Sequence, residues 1–132
     1  MIQHAKPNMA SIDTLIPILH PEVYVFCIVQ NTDQIPIKDI IMAFKEQEGI
    51  TLILKKVTAD LFRLDYTYEA AWITLSIQTS LHMIGLTALF SAALTQANIS
   101  CNVVAAYHHD HIFVDIKDAD EAMQILSNLN FA

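Results

Sequence analysis

Between Glu69 and Asp110 the chain carries no Asp, Glu, Lys or Arg, and these forty uncharged residues limit what it can become. A membrane helix is the first possibility to test. The purest apolar piece, Met83 to Leu94, is broken by Gly85, Thr87 and Ser91 and flanked by His82 and Gln96, well short of the roughly 18 residues a spanning helix needs. The stretch changes period instead. From Trp72 to Gln78, Ile73, Leu75 and Ile77 alternate with Thr74, Ser76 and Gln78, the pattern of a strand with one buried face. Thr79 and Ser80 suit the cap of a helix running to about Ala97, where Asn98 suits a left-handed stop. A buried strand followed by a buried helix holds more apolar surface than one half of a small protein covers, so self-association is expected.

With 132 residues, 54% of them hydrophobic and 16% charged, the chain can build one core without disulfides or metals. Its net charge of -7, with 7 basic against 14 acidic side chains, argues against nucleic acid and anionic membranes as partners. The only adjacent basic pair is Lys55 and Lys56. Cys27 and Cys101 lie in apolar runs without a CxxC partner and read as reduced, buried small hydrophobes. MIQHAKPNMASID has no apolar run or cleavage site of the secretory kind, so a cytoplasmic location is expected.

Along the chain, Val23 to Gln30 reads as a central strand and Asn31 to Pro36 as a turn. Ile37 to Phe44 has helical spacing at Ile37, Ile40, Ile41 and Phe44. Gly49 then precedes a strand from Ile50 to Leu54, and a short helical stretch near Thr58 to Leu64 closes the first half. In the second half the strand and helix already described lead to Ile99 to Tyr107 and His111 to Ile116, a predicted hairpin. Asp118 and Glu121 fit a capping box before the apolar stripe Ala122, Ile125, Leu126 and Leu129. Each half therefore reads as strand, helix, strand and so on, which predicts an α+β protein with right-handed crossovers. The halves divide at 1–68 and 69–132, with about 1–12 as a flexible lead, and no linker between them, so they should pack as one body.

Three stretches then stand out together: FKEQEGITLIL (Phe44 to Leu54), ITLSIQTSLHMIGLTA (Ile73 to Ala88) and NVVAAYHHDHIFVDI (Asn102 to Ile116). Over Leu15 to Leu129 the chain resembles a family of small bacterial proteins with two tandem ACT-like subdomains, similar also to the ACT modules of cytosolic arginine sensors. Asp115 departs from that pattern, which usually has Pro there. The resemblance implies tandem ferredoxin-like (βαββαβ) subdomains with helices on one face of antiparallel sheets. It also implies binding of an amino acid or similar metabolite, with the signal passed to a partner.

The strand-to-helix turn carries the best chemical argument for a site. A helix start presents free N–H groups to a carboxylate, and Gly85 permits close approach, so Ser80, Leu81, Ile84 and Gly85 are candidate ligand-binding residues. The alternative is plain capping by Ser80. Asp110 can accept from a ligand ammonium or from its own turn, with Tyr107 and His111 in support. His108, His109, Asp110 and His111 suggest a metal, but neighbouring strand residues point to opposite faces and cannot converge on one ion. No metal or cofactor is therefore expected. Glu46 and Glu48 beside Gly49 fit a solvated helix end, and no nucleophile elbow, phosphate loop or CxxC supports a reaction class. The expectation is a non-catalytic sensor of an amino acid, a homodimer or larger homo-oligomer; the alternative is a structural or interaction module with an empty, degenerate site.

Overall fold

The computed structural model describes residues 15–77 and 85–129. Its strands are β1 (Leu15–Leu19), β2 (Tyr24–Val29), β3 (Ile40–Lys45), β4 (Ile50–Lys55), β5 (Glu69–Ile77), β6 (Asn102–Ala105) and β7 (Asp110–Asp115). The helices are α1 (Lys56–Leu61), α2 (Leu86–Gln96) and α3 (Ala119–Ser127), and 3-10 turns occupy Ile37–Asp39 and Ile116–Asp118. Every strand pair is antiparallel, in the order β3-β4-β2-β5-β7-β6, with β1 also on β5.

That order contains the same four-strand arrangement twice. The first unit runs β5-β2-β4-β3 and the second β1-β5-β7-β6. Strand β5 belongs to both: Glu69 and Ala70 pair with β2, while Ile73 to Ile77 pair with β1 along the same edge. The second unit takes its last strand from the start of the chain. In the first unit the crossover helix is reduced to the 3-10 turn at Ile37–Asp39. The fold is thus α+β, two ferredoxin-like units fused through one strand. The 68/69 boundary falls at the first residue of that strand.

Alternation along the strands sorts the core onto two faces. On one face α2 and α3 cover Ala71, Ile73, Leu75, Ile112 and Val114, with Phe90, Leu94 and Leu126 fully buried between them. On the same face of the first unit, Ala59 of α1 packs on Val25, Cys27, Leu52 and Leu54. The other face bears no helix, yet Tyr24, Ile53, Ala70 and Phe113 are buried there with Phe26, Met42, Trp72 and Val104 around them. Met42 and Val104 come from opposite edges of the strand order, so the sheet curls until its edges share this second core. Both cysteines are free thiols, Cys27 buried and Cys101 half-buried.

Several elements depart from the reading of the sequence. Ile37 to Phe44 is not a helix but a 3-10 turn followed by β3. The register against β4 shifts between Ile40 and Met42, leaving Ile41 as an extra residue. Such a bulge breaks the alternation of a strand and left Ile40, Ile41 and Phe44 at helix-like intervals. Strand β1 went unread because LIPIL is short and contains Pro17, a residue that suits edge strands; β1 pairs with β5 alone. The capping box does not form: Asp118 makes no cap bond, its carboxylate meeting Lys117 Nζ at 3.1 Å, while Asp115 accepts from Lys117 N–H. Helix α2 begins at Leu86 with Gly85 as its N-cap, so capping by Thr79 or Ser80 lies outside the described residues, as does the lead at 1–12. The large apolar side chains of the uncharged stretch are mostly covered. Among its described residues only Val103 and Tyr107 are large, apolar and exposed, whereas Ile28, Ile37, Phe44, Val57 and Leu61 of the first unit are more open than Val103.

Candidate functional site

Of the residues singled out from sequence, Ser80, Leu81 and Ile84 lie outside the described residues. Gly85 adopts the left-handed conformation, φ 88°, and among the described residues nothing beyond its own chain neighbours and helix backbone stands within 4 Å of where its Cβ would be. The need for glycine there is conformational. Its carbonyl accepts from Leu89 N–H at 2.9 Å, opening α2. Asp110 starts β7, opposite Leu75 and Ala105, and strand alternation puts it on the helix-covered face with Ile112 and Val114. His111 falls on the other face. Tyr107 stands at the hairpin tip, 96% exposed, where Ala106 N–H donates to His109 C=O at 3.0 Å. Asp110, His111 and Tyr107 are neighbours in sequence but do not converge. No three His, Cys, Asp or Glu side chains among the described residues are grouped to hold a metal ion.

The first unit has its own version of the strand-to-helix turn, between β2 and the 3-10 turn. A cavity of about 220 Å³ opens there, lined by the polar residues Gln30, Asn31 and Gln34 and the apolar residues Val29, Ile35, Phe62 and Leu64. The turn is held firmly. Asn31 Oδ1 accepts from Asp33 N–H at 3.1 Å, Ile35 N–H donates to Thr32 C=O at 3.0 Å, and Gln30 Nε2 donates to Glu48 C=O at 3.0 Å. Gly49, φ 156°, brings the β3–β4 hairpin against this turn: a Cβ would sit 2.8 Å from Val29 O. Amide side chains both donate and accept, so this lining can meet either end of a zwitterion without a fixed charge.

On the helix-free face the strands assemble a network that the sequence reading did not anticipate. His20 stacks on Trp72 with ring centroids 3.6 Å apart and planes 9° from parallel, and Tyr24 meets the indole edge-on at 5.2 Å. Thr74 Oγ1 lies 2.7 Å from His20 Nε2 and 3.1 Å from His111 Nδ1, while Trp72 Nε1–H donates to His111 Nδ1 at 3.0 Å. An indole N–H can only donate, so Nδ1 of His111 is the acceptor and the neutral ring carries its proton on Nε2. Burial holds both imidazoles below their ordinary pKa, with His111 adding to the effect on His20 and His109 to that on His111; Asp110 opposes it at His111. The sequence signal for this network was the face of β5 that looked merely polar: Trp72 and Thr74 alternate with Ile73 and Leu75. Beside it lies a cavity of about 320 Å³.

Comparison with known proteins follows the same division. Residues 12–71 match the ACT domain family, and residues 67–128 match it again, overlapping where β5 serves both units. A Vibrio cholerae protein of unknown function, described as a possible transport protein, is 37% identical, with a TM-score of 0.79, 86% of this chain and 88% of that one being covered. A putative C-terminal regulatory domain of aspartate kinase from Porphyromonas gingivalis shares the fold at 14% identity and TM-score 0.56, covering 92% of this chain and 99% of that one. Clostridium acetobutylicum aspartate kinase, an allosteric enzyme, does so at 11% identity and TM-score 0.62, covering 95% of this chain and 36% of the enzyme. No curated protein matches the chain. No helix among the described residues is long and apolar enough to cross a membrane.

Proposed function

The chain belongs to the ACT-domain family, a family of regulatory rather than catalytic ligand-binding modules, and on that premise we propose that it is a cytoplasmic, non-catalytic sensor of an amino acid or similar small polar metabolite. The observation that carries this reading is the cavity at the β2 turn, lined by three amide-bearing and four apolar residues. A zwitterion with a modest side chain suits such a lining. The equivalent turn of the second unit leads from β5 into α2, and we assign the second binding position to it: amides near Ser80, Leu81, Ile84 and Gly85 for the carboxylate and Asp110 for the ammonium, without Tyr107 and His111, which do not converge with Asp110. Strand β5 opens the 69–132 half and pairs with β2 of the 1–68 half, a route by which occupancy at one turn reaches the other.

Self-association belongs to the same proposal, though on different residues from those the sequence suggested. Ile28 and Phe44 both lie opposite Thr51 and are 55% and 62% exposed, forming an apolar patch across three strands of the first unit. A second copy covering that patch would transmit binding at the nearby β2 turn.

A thermal-shift screen of the purified protein against the amino acids and common metabolites tests the reading. A true ligand at about one hundred times its Kd adds roughly 2.7 kcal/mol, a rise of several degrees for a domain this size. Asn31→Ala should reduce the rise if the first turn binds, and Asp110→Asn should do so if the second binds. A ligand whose effect survives both substitutions, or a panel in which nothing stabilises, contradicts the assignment.

A further inference from the structure

The cavity on the helix-free face belongs to neither turn. It is lined from one sheet edge by Ile41 and Met42 of β3, from the other by Val104 and Ala106, with Trp72, Phe113 and His111 beneath. Only a curled sheet brings β3 and β6, the two ends of the strand order, to one cavity. The Ile40–Met42 bulge lies on its rim, a placement bulges often take next to binding sites. Its volume of about 320 Å³ falls at the small end of the range for ligand pockets.

The lining dictates what fits. The Trp72 and Phe113 rings lie 21° from parallel with centroids 6.0 Å apart; Phe113 is buried and Trp72 half-buried with His20 stacked on it, so the part of the indole left open is the π-surface of the cavity. Among the described residues no Asp, Glu, Lys or Arg side chain lines the cavity, so none of them gives either end of a zwitterion a counter-charge. His111 supplies one directed polar group. With Nδ1 engaged by Trp72 Nε1–H and Thr74 Oγ1, its remaining polar atom is the Nε2–H donor, for which no acceptor appears among the described residues.

We propose that this cavity is a second ligand site, distinct from the amino-acid turns, for a small, uncharged, planar aromatic molecule bearing one hydrogen-bond acceptor. The ring lies against the open part of the Trp72 indole, and the acceptor takes the Nε2–H of His111.

Trp72 is the only tryptophan in the chain, so its emission reports occupancy directly. Benzamide is the probe, compared with cyclohexanecarboxamide, toluene and benzylammonium. Benzamide should give a saturable change with a Kd on the order of 1 mM or tighter, as nine non-hydrogen atoms allow, and the other three should bind at least about tenfold more weakly. Val104→Phe should abolish saturation by filling the cavity. Ala106→Phe, at an exposed rim position, checks the same point where the first variant folds poorly. His111→Phe should remove the advantage of benzamide over toluene. Absence of saturation at roughly ten times the expected Kd, unchanged affinity in folded Val104→Phe and Ala106→Phe, or a preference for benzylammonium overturns the proposal. An amino-acid thermal shift that persists in Val104→Phe separates this site from the turns, so either proposal can fail alone.

Discussion

Replacing Ile73 by Ala tests whether the two units fold as one. Ile73 is fully buried in β5, opposite Leu19 of β1 and Ile112 of β7, and packs in the α2–α3 core. The substitution removes three carbons. At about 0.8 kcal/mol per buried methylene the transfer loss is roughly 2.4 kcal/mol, and the cavity left behind raises it to about 3–4 kcal/mol. For a chain of this size that lowers Tm by roughly 10–15 °C. The decisive assay is amide hydrogen exchange in both units. Leu52 to Leu54 sit in the middle of β4, which pairs with β2 and β3, and Ile112 to Val114 in β7, which pairs with β5 and β6. If β5 joins the units into one cooperative structure, both sets should lose protection together, by a few hundredfold at about 1.4 kcal/mol per factor of ten. Unchanged protection in β4 alongside a large loss in β7 would refute the shared-strand reasoning.

The two glycines should respond differently. Gly49→Ala forces a Cβ to within 2.8 Å of Val29 O at φ 156° and should cost about 1–3 kcal/mol or more in urea unfolding; Gly85→Ala meets no neighbouring side chain among the described residues and should cost only about 1–2 kcal/mol for its left-handed backbone, with Gly85→Asn milder still. The reverse ranking would contradict the packing of the β3–β4 hairpin on the β2 turn. His20 and His111 both have folded pKa values below 6.5, so the unfolded chain takes up protons first on acidification. Their contribution to stability is fully present above about pH 7 and is lost as pH falls through 6.5 towards the folded values. Urea midpoints between about pH 7.5 and 5.5 should therefore fall with pH in the wild type and fall less in a His20→Gln, His111→Gln double variant; a midpoint that rises on acidification would show that the imidazoles are better charged in the fold.

Much of this architecture was legible because periodicity reports burial. Ile73, Leu75 and Ile77 announced β5, and the run VYVFCIV announced β2. The hairpin of β6 and β7 followed from two period-two runs around His108 to Asp110. What escaped was set by tertiary context. A bulge at Ile41 disguised an edge strand as a helix, and Pro17 hid a strand that exists only because β5 continues past the reach of β2. The candidate sites were less legible. Helix-start chemistry and Gly85 pointed to the turn before α2, most of which lies outside the described residues, while the cavity after β2 is lined by side chains from two separate segments that no sequence period brings together. The His20, Trp72, Thr74 and His111 network was invisible because it joins residues up to 91 positions apart whose only shared property is a sheet face that strand pairing creates.

A titration of the ¹⁵N-labelled protein with each amino acid, followed by backbone amide NMR, tests the sensor assignment most directly. At least one amino acid should shift the amides of Val29 to Ile35 together with Phe62 and Leu64, or those around Gly85 and Asp110, with saturation at one Kd for all affected residues in a unit. If no amino acid moves either set, or if the shifts are confined to residues away from both turns, the protein is not the amino-acid sensor proposed here.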